Sequence, residues 1–131
     1  MTENFSLLYH GNNTYRKDGS MGSIKSSEVK LEVIAQGRTR YLAYTDNLMM
    51  VVLDCQDGPA SQPDPPHSHP HEQISYVVSG EIYLILGNEV TCLGPGDIFC
   101  VPPNVPHAIQ LLTEHVRLVD TFTPIRKDFL K

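Results

Sequence analysis

The feature that most limits the fold of this 131-residue chain is a series of short apolar or alternating runs separated by glycine and proline. Each run has the length of a β-strand, and none leaves room for a long helix in the middle of the chain. The runs cover residues 29–33, 40–44, 48–54, 74–78, 81–86, 90–93, 98–101, 107–112 and 115–122. Turn signals such as Asp57-Gly58-Pro59 and Gly94-Pro95-Gly96-Asp97 stand between them. The pattern predicts an all-β antiparallel sandwich or barrel, with the double-sheet jelly roll as its natural small form.

The two ends of the chain differ from this strand-rich middle. Residues 1–27 are polar, with an apolar patch at Phe5, Leu7, Leu8 and Tyr9, and they predict an arm or edge strand. Residues 28–131 are predicted to form a single barrel domain, which at this length buries about two thirds of its unfolded surface without disulfides. The only predicted helical segment is a turn or two over residues 125–130.

The overall charge argues for a small-molecule partner. Ten Lys and Arg against 15 Asp and Glu give a net charge of −5, and no basic run is present. Nucleic acids and anionic membranes both require concentrated positive charge, so neither is expected as a partner. No apolar stretch approaches the roughly 18 residues of a membrane span. Because Glu3 and Asn4 stand where a signal peptide is basic and apolar, we expect a cytoplasmic protein.

The histidines carry the clearest chemical signal. His67-Ser68-His69 is predicted to lie in a strand, where alternation places both imidazoles on one face. The amide oxygen of Gln73 offers a third ligand, and His107 follows a proline-rich turn on a strand face shared with inward aliphatic residues. A lone histidine on such a face is usually a satisfied core residue. The coincidence of all four residues favours a bound metal ion instead.

Two motifs in this region resemble those of the cupin superfamily, His-x-His-x₃-Glu-x₆-Gly and Gly-Asp-x₄-Pro-x-Gly-x₂-His. The segments 67–80 and 96–107 match them in order, except that Gln73 replaces the usual Glu and Asn104 the usual Gly. Asn tolerates a positive φ, so the turn is expected to survive. The resemblance implies a cupin double-stranded β-helix in which His67, His69, Gln73 and His107 bind one divalent metal ion. Nickel, zinc, iron, cobalt and manganese all suit such ligands.

The neutral amide at position 73 has an electrostatic consequence. Three neutral imidazoles and an amide leave a divalent site at a charge of +2, whereas a Glu would reduce that charge to +1. The metal is therefore expected to be a strong Lewis acid towards an anionic substrate. His71 and Glu72 lie inside the motif but off the ligand phase, and they are predicted to have a loop or supporting role, with plain surface exposure as the alternative.

The last predicted strand places a carboxylate on an apolar face. Val116, Leu118, Asp120 and Phe122 share the side that is expected to point inward. A buried carboxylate is costly unless it is paired, hydrogen-bonded or used in chemistry. Arg126 follows closely enough to fold back over the barrel mouth. An ion pair between Asp120 and Arg126 that only closes the barrel is the alternative to a catalytic role.

The tail sequence narrows the resemblance. Four segments together resemble the KdgF-type cupins. They are Asp46-Asn-Leu-Met-Met50, the histidine block, Pro102-Pro-Asn-Val-Pro-His107 and Asp120-Thr-Phe122-Thr-Pro-Ile-Arg126. That family ketonises cyclic 4,5-unsaturated monouronates from pectin and alginate to linear 4-deoxy-5-keto uronates. The resemblance implies that Asp120 transfers a proton, that Arg126 binds the substrate carboxylate or a hydroxyl, and that Phe122 forms an apolar wall. It also implies a homodimer.

Two other functions stay open at this point. Three histidines and a further ligand also suit an iron or nickel cupin oxygenase or lyase that acts on another small molecule. The third alternative is a sugar-binding or sensor cupin without turnover. The sequence does not distinguish which uronate epimer the protein would use.

Overall fold

The computed structural model describes residues 22–130, so most of the predicted N-terminal arm lies outside the described residues. The described part contains nine β-strands and two short 3-10 turns, Ser26–Glu28 and Lys127–Phe129. The strands are β1 (Glu32–Ala35), β2 (Arg38–Tyr44), β3 (Met49–Cys55), β4 (Glu72–Ser79), β5 (Ile82–Leu86), β6 (Glu89–Leu93), β7 (Ile98–Val101), β8 (His107–Leu111) and β9 (Val116–Thr123). The all-β prediction is confirmed, including the short turn in the tail.

The strands form two antiparallel sheets. The larger sheet has the order β1-β2-β3-β9-β4-β7, and the smaller has the order β6-β5-β8. Inward residues alternate with outward ones along β4, as expected for strands with one face on the core. The main apolar core consists of buried side chains from both sheets: Cys55, Val77, Ile82, Leu84, Phe99, Val101, Leu111, Val116 and Leu118.

A second, smaller apolar cluster lies at the other end of the sheet. Met49, Val51 and Phe122 form its buried part. Side chains of the C-terminal tail pack against it, among them Ile125 and Phe129. We call these five residues the tail cluster. On the inward face of β9, Leu118 belongs to the main core and Phe122 to the tail cluster, with Asp120 between them.

Two local predictions are wrong. The alternating residues 29–33 do not form a half-buried strand, since β1 begins at Glu32 and Val33 is 75% exposed. Among residues 22–130, strand β1 lies at the edge of the larger sheet and pairs with β2 alone, and its apolar side chains do not reach the core. The His67–His69 segment is also not a strand, because its one ladder contact is an isolated bridge between His67 and His107.

The turn before β8 keeps its shape without the usual glycine. Asn104 adopts a φ of 65°, in the left-handed region that Asn tolerates better than most residues. Its backbone N–H donates a hydrogen bond of 2.7 Å to the carbonyl oxygen of His69. The turn therefore holds the histidine segment directly. Within residues 22–130, no helix has the length and apolar character that crossing a membrane requires.

Candidate metal centre

The fold brings three of the histidines together. The ligand atoms of His67, His69 and His107 all lie within 4.8 Å of one another. Reciprocal backbone hydrogen bonds tie His67 to His107, with N–O distances of 3.0 and 2.9 Å. His69 and His107 are buried, while His67 is exposed on the open side of the cluster. The spacing of the ligand atoms suits one metal ion, with access from the side of His67.

The ring of His107 is oriented to leave one nitrogen free. Its Nδ1–H donates to the carbonyl oxygen of Val105 at 2.8 Å. Its Nε2 is buried and has no hydrogen-bond partner. Metal-binding histidines commonly have this arrangement, in which one ring nitrogen bonds a carbonyl and the other carries the lone pair.

His69 makes a contact that a cation would explain. Its Nδ1 lies 3.0 Å from the carbonyl oxygen of His71, and its Nε2 lies 3.0 Å from the amide Oε1 of Gln73. A neutral imidazole has only one N–H. At one of these two contacts, therefore, both the ring nitrogen and the oxygen are hydrogen-bond acceptors. With Nδ1–H donating to His71, the Nε2 lone pair and the Gln73 oxygen face the same point. Two such acceptors are the ligands that a metal ion requires.

Burial keeps the other imidazoles in their ligating form. It lowers the pKa of His107, and the neighbouring His69 lowers it further. Burial also lowers the pKa of His67, with His107 and His69 adding to the shift. Neutral imidazole is the form that binds metals, so the electrostatics agree with the geometry. The three histidines and the Gln73 amide therefore fit a divalent cation.

A hydrogen-bonded chain joins Gln73 to Asp120. The Gln73 Nε2 donates to the Ser75 Oγ at 2.9 Å, and the Ser75 hydroxyl donates to the Asp120 Oδ1 at 2.6 Å. Gln73 and Ser75 are both buried on the inward face of β4, and Asp120 lies opposite Ser75 on the neighbouring strand β9. Burial raises the pKa of Asp120, and the Ser75 hydrogen bond opposes that rise. We call these three residues the amide relay.

Both ends of the amide relay, Gln73 and Asp120, line a cavity of about 280 Å³ together with His67 and His107. That volume is near the lower end of small-molecule sites, which typically measure about 300–1,000 Å³. Phe122 and Arg126 line the same cavity, and the Arg126 Cζ lies 5.1 Å from the centre of the Phe122 ring. The Asp120–Arg126 ion pair is not formed. Arg126 instead makes two hydrogen bonds, of 3.1 and 2.8 Å, to the exposed Asp128.

The sequence comparisons agree with this geometry. Residues 56–122 match the model of the cupin domain family. The chain belongs to the cupin family. This cupin is 33% identical to the pectin degradation protein KdgF of Dickeya dadantii (strain 3937) over 105 residues, which cover 79% of this chain and 93% of the relative.

Solved structures give the same result. The structure of KdgF from Halomonas sp. superposes with a TM-score of 0.75 at 33% identity, covering 84% of this cupin and all of that chain. An RmlC-like cupin from Shewanella frigidimarina NCIMB 400 superposes with a TM-score of 0.77 at 32% identity, covering 86% and 99% of the two chains.

Two residues at the site, Ser75 and Asp64, were not singled out by the sequence. Ser75 looks like one of many strand serines, and only its pairing with Asp120 in this cupin gives it a role. Arg38 and Asp64 also line the cavity and make two hydrogen bonds, of 2.7 and 3.1 Å. The Asp-Pro-Pro step before His67 was a visible signal for Asp64, but nothing in the sequence paired it with Arg38. Of the two residues inside the motif, His71 is partly buried and Glu72 is exposed.

Proposed function

We propose that this cupin converts a cyclic 4,5-unsaturated monouronate to the linear 4-deoxy-5-keto uronate. The observation that carries the proposal is the amide relay, which joins the Gln73 amide beside the histidine cluster to the half-buried Asp120 carboxylate. The similarity to the pectin degradation protein KdgF over most of both chains supports it. A cavity of about 280 Å³ also suits a monosaccharide better than a polymer.

The reaction moves one proton and breaks one bond. In the cyclic substrate the ring oxygen joins the hemiacetal carbon C1 to the enol-ether carbon C5, which carries the carboxylate. A base removes the C1 hydroxyl proton, and the C1 hydroxyl oxygen becomes the carbonyl oxygen of an aldehyde. The bond between C1 and the ring oxygen breaks, and its electron pair stays on the oxygen at C5 as an enolate. Protonation of C4 then gives the ketone at C5. Substrate and product are isomers, so no oxidant, reductant or water is consumed.

Asp120 is the proton-transfer group in this proposal. Its pKa is raised by burial, and a raised pKa makes a carboxylate a better base near neutral pH. Ser75 holds one carboxylate oxygen at 2.6 Å and leaves the other for the substrate. A divalent cation held by His67, His69, Gln73 and His107 would supply a Lewis acid for the carboxylate and the oxygen at C5.

Arg126 and Phe122 bind the sugar in this proposal. The guanidinium group offers a planar pair of donors that suits a carboxylate or a pair of hydroxyls. Asp128, which now occupies those donors, is 58% exposed and is free to exchange with a substrate carboxylate. Phe122 is buried on the same face as Asp120 and presents its ring to the cavity. It forms an apolar wall against the sugar ring in this proposal.

A homodimer is the second part of the proposal. The outer face of the larger sheet exposes apolar side chains on neighbouring strands, including Ile74, Tyr76 and Ile98. Contiguous apolar surface of this kind is a typical protein contact. Light scattering on the purified protein measures the mass directly, and a monomer at all concentrations would overturn this part. Cytoplasmic location and the absence of a nucleic-acid partner stay predictions.

The decisive experiment follows the ultraviolet absorbance of an unsaturated monogalacturonate, whose conjugated double bond is lost on ketonisation. The metal-loaded protein is expected to accelerate the decay above the spontaneous rate, and the chelated protein and Asp120→Asn are expected not to. The matched control is Glu89→Gln, which removes an exposed carboxylate on β6 and should keep wild-type turnover.

Two other outcomes would assign the protein elsewhere. Decay at the spontaneous rate together with tight uronate binding would indicate a sensor. No uronate binding, but oxygen uptake by the iron-loaded protein with another substrate, would indicate the oxygenase alternative.

A further inference from the structure

The amide of Gln73 can adopt two orientations of nearly the same shape, because its oxygen and nitrogen ends differ little in size. In one orientation the oxygen faces His69, and in the other the NH₂ group does. Only the first orientation gives a metal ligand. Glu, the usual cupin residue at this position, has no second orientation of this kind, because both terminal atoms of its carboxylate are oxygens.

The neighbouring hydroxyl decides the orientation. Ser75 has a single hydroxyl hydrogen, and the 2.6 Å contact with the Asp120 carboxylate uses it. The Ser75 oxygen can then only accept at its 2.9 Å contact with Gln73. A flipped amide would place its oxygen against that acceptor, so the NH₂ group points to Ser75 and the oxygen points to the histidines.

We propose that Ser75 is a positioning residue. Because its hydroxyl hydrogen is donated to the Asp120 carboxylate, Ser75 can only accept from Gln73, and this holds the Gln73 amide with its oxygen towards the histidines. This proposal rests on the metal site described under the proposed function. Ser75 itself touches neither metal nor substrate. It is 1% exposed and therefore has no role at the surface.

The proposal predicts the result of removing the hydroxyl. In Ser75→Ala the amide is free to flip, and its NH₂ group then donates to the Nε2 lone pair of His69, 3.0 Å away. If the Gln73 amide has its oxygen towards the metal site for only a fraction of the time, the apparent metal affinity is reduced to that fraction of its full value. We expect Zn²⁺ affinity to fall about tenfold, at the lower end of the 10–100-fold range typical of residues that support metal ligands.

The test is a double-mutant cycle on Zn²⁺ affinity, measured by competition with a chromophoric chelator. The four proteins are the wild type, Ser75→Ala, Gln73→Glu and the double variant. Because a carboxylate has no wrong orientation, the Ser75→Ala loss is expected to fall below about threefold when residue 73 is Glu. A merely structural role for Ser75 would cost the same affinity in both backgrounds and would overturn the proposal.

Two controls keep the result interpretable. Val77→Ala removes a fully buried side chain from the same face of β4, so it destabilises the fold, but it should leave Zn²⁺ affinity within threefold. Ser75→Thr retains the hydroxyl and should restore most of the affinity.

The remaining outcomes are also decisive. An unchanged affinity in Ser75→Ala with Gln73 present would overturn the orientation argument while leaving the metal site intact. A wild-type protein that binds no Zn²⁺, Ni²⁺ or Co²⁺ would overturn the metal site and this inference together.

Discussion

Asp120→Asn is expected to make the metal-free protein more stable while it removes activity. Asp120 lies on the inward face of β9 between buried Leu118 and Phe122, although it keeps some exposure through the cavity. Burying a carboxylate costs several kcal/mol, and one charge-assisted hydrogen bond returns about 1.5–3 kcal/mol. Asn has the same shape and can accept the same Ser75 hydrogen bond without the charge. The free energy of unfolding should therefore rise by about 1–3 kcal/mol at neutral pH.

The pH dependence separates this explanation from simple repacking. The pKa of Asp120 is raised in the folded protein, so the folded state binds its proton more tightly than the unfolded state does. The wild type thus loses stability as the pH rises from the ordinary carboxyl value of about 4 through the raised value. Asn does not titrate. The stability difference between Asp120→Asn and the wild type should be near zero at the acid end of this pH range. It should increase as the pH rises through the range and stay constant above it.

Thermal unfolding of both proteins in chelator, followed by circular dichroism between pH 4.5 and 8, measures the effect. A gain of 1–3 kcal/mol corresponds to roughly 3–10 °C in Tm for a domain of this size. A lower Tm at neutral pH, or a difference independent of pH, would refute the desolvation argument. Turnover by the metal-loaded variant should fall by about 10²–10⁴-fold, as is typical when a general base is lost.

Two further predictions test the cavity wall and the turn chemistry. Phe122→Leu should raise the KM for the uronate severalfold with a smaller change in kcat, because the Phe122 ring that faces Arg126 is a binding surface. Steady-state kinetics measure KM and kcat separately. A fall in kcat with an unchanged KM would contradict this prediction. Gly80→Ala should lower the free energy of unfolding by about 2–4 kcal/mol, because its φ is +80° and an added Cβ would lie 2.2 Å from the carbonyl oxygen of His115. The matched control is Gly87→Ala, whose φ is +59° with nothing within 4 Å, and denaturant unfolding should show a loss of only about 1 kcal/mol.

The sequence predicts the larger features because they follow from local patterns. Alternation in β4 and β9 gave both the strand and the inward face, since a strand with one buried face repeats every two residues. The His-x-His spacing and the proline-rich turn before His107 mark their residues through the cupin motifs. Asn104 was correctly expected to tolerate the turn, and its φ of 65° agrees.

The errors arise where tertiary pairing decides. Alternation at residues 29–33 was typical of a half-buried strand, but in the part of the chain that the structure describes β1 lies at the sheet edge, outside the core. His67 and His69 meet in a loop that backbone hydrogen bonds hold to β8 and its turn, so strand alternation was the wrong reason for a correct proximity. Ser75 was missed because its partner Asp120 is 45 residues away, and only the register of β4 against β9 brings them together.

The position of the amide relay between two apolar clusters explains how one fold supports both stability and chemistry. Along β9, Leu118 belongs to the main core and Phe122 to the tail cluster, with Asp120 between them. Burial on this face raises the pKa of the Asp120 carboxyl group, although part of the group stays open to the cavity. The charge of Arg126 in the tail opposes this rise. A single β9 sequence that alternates apolar, acidic and aromatic side chains on one face thus places the Asp120 carboxylate between two apolar side chains that bury most of their own surface.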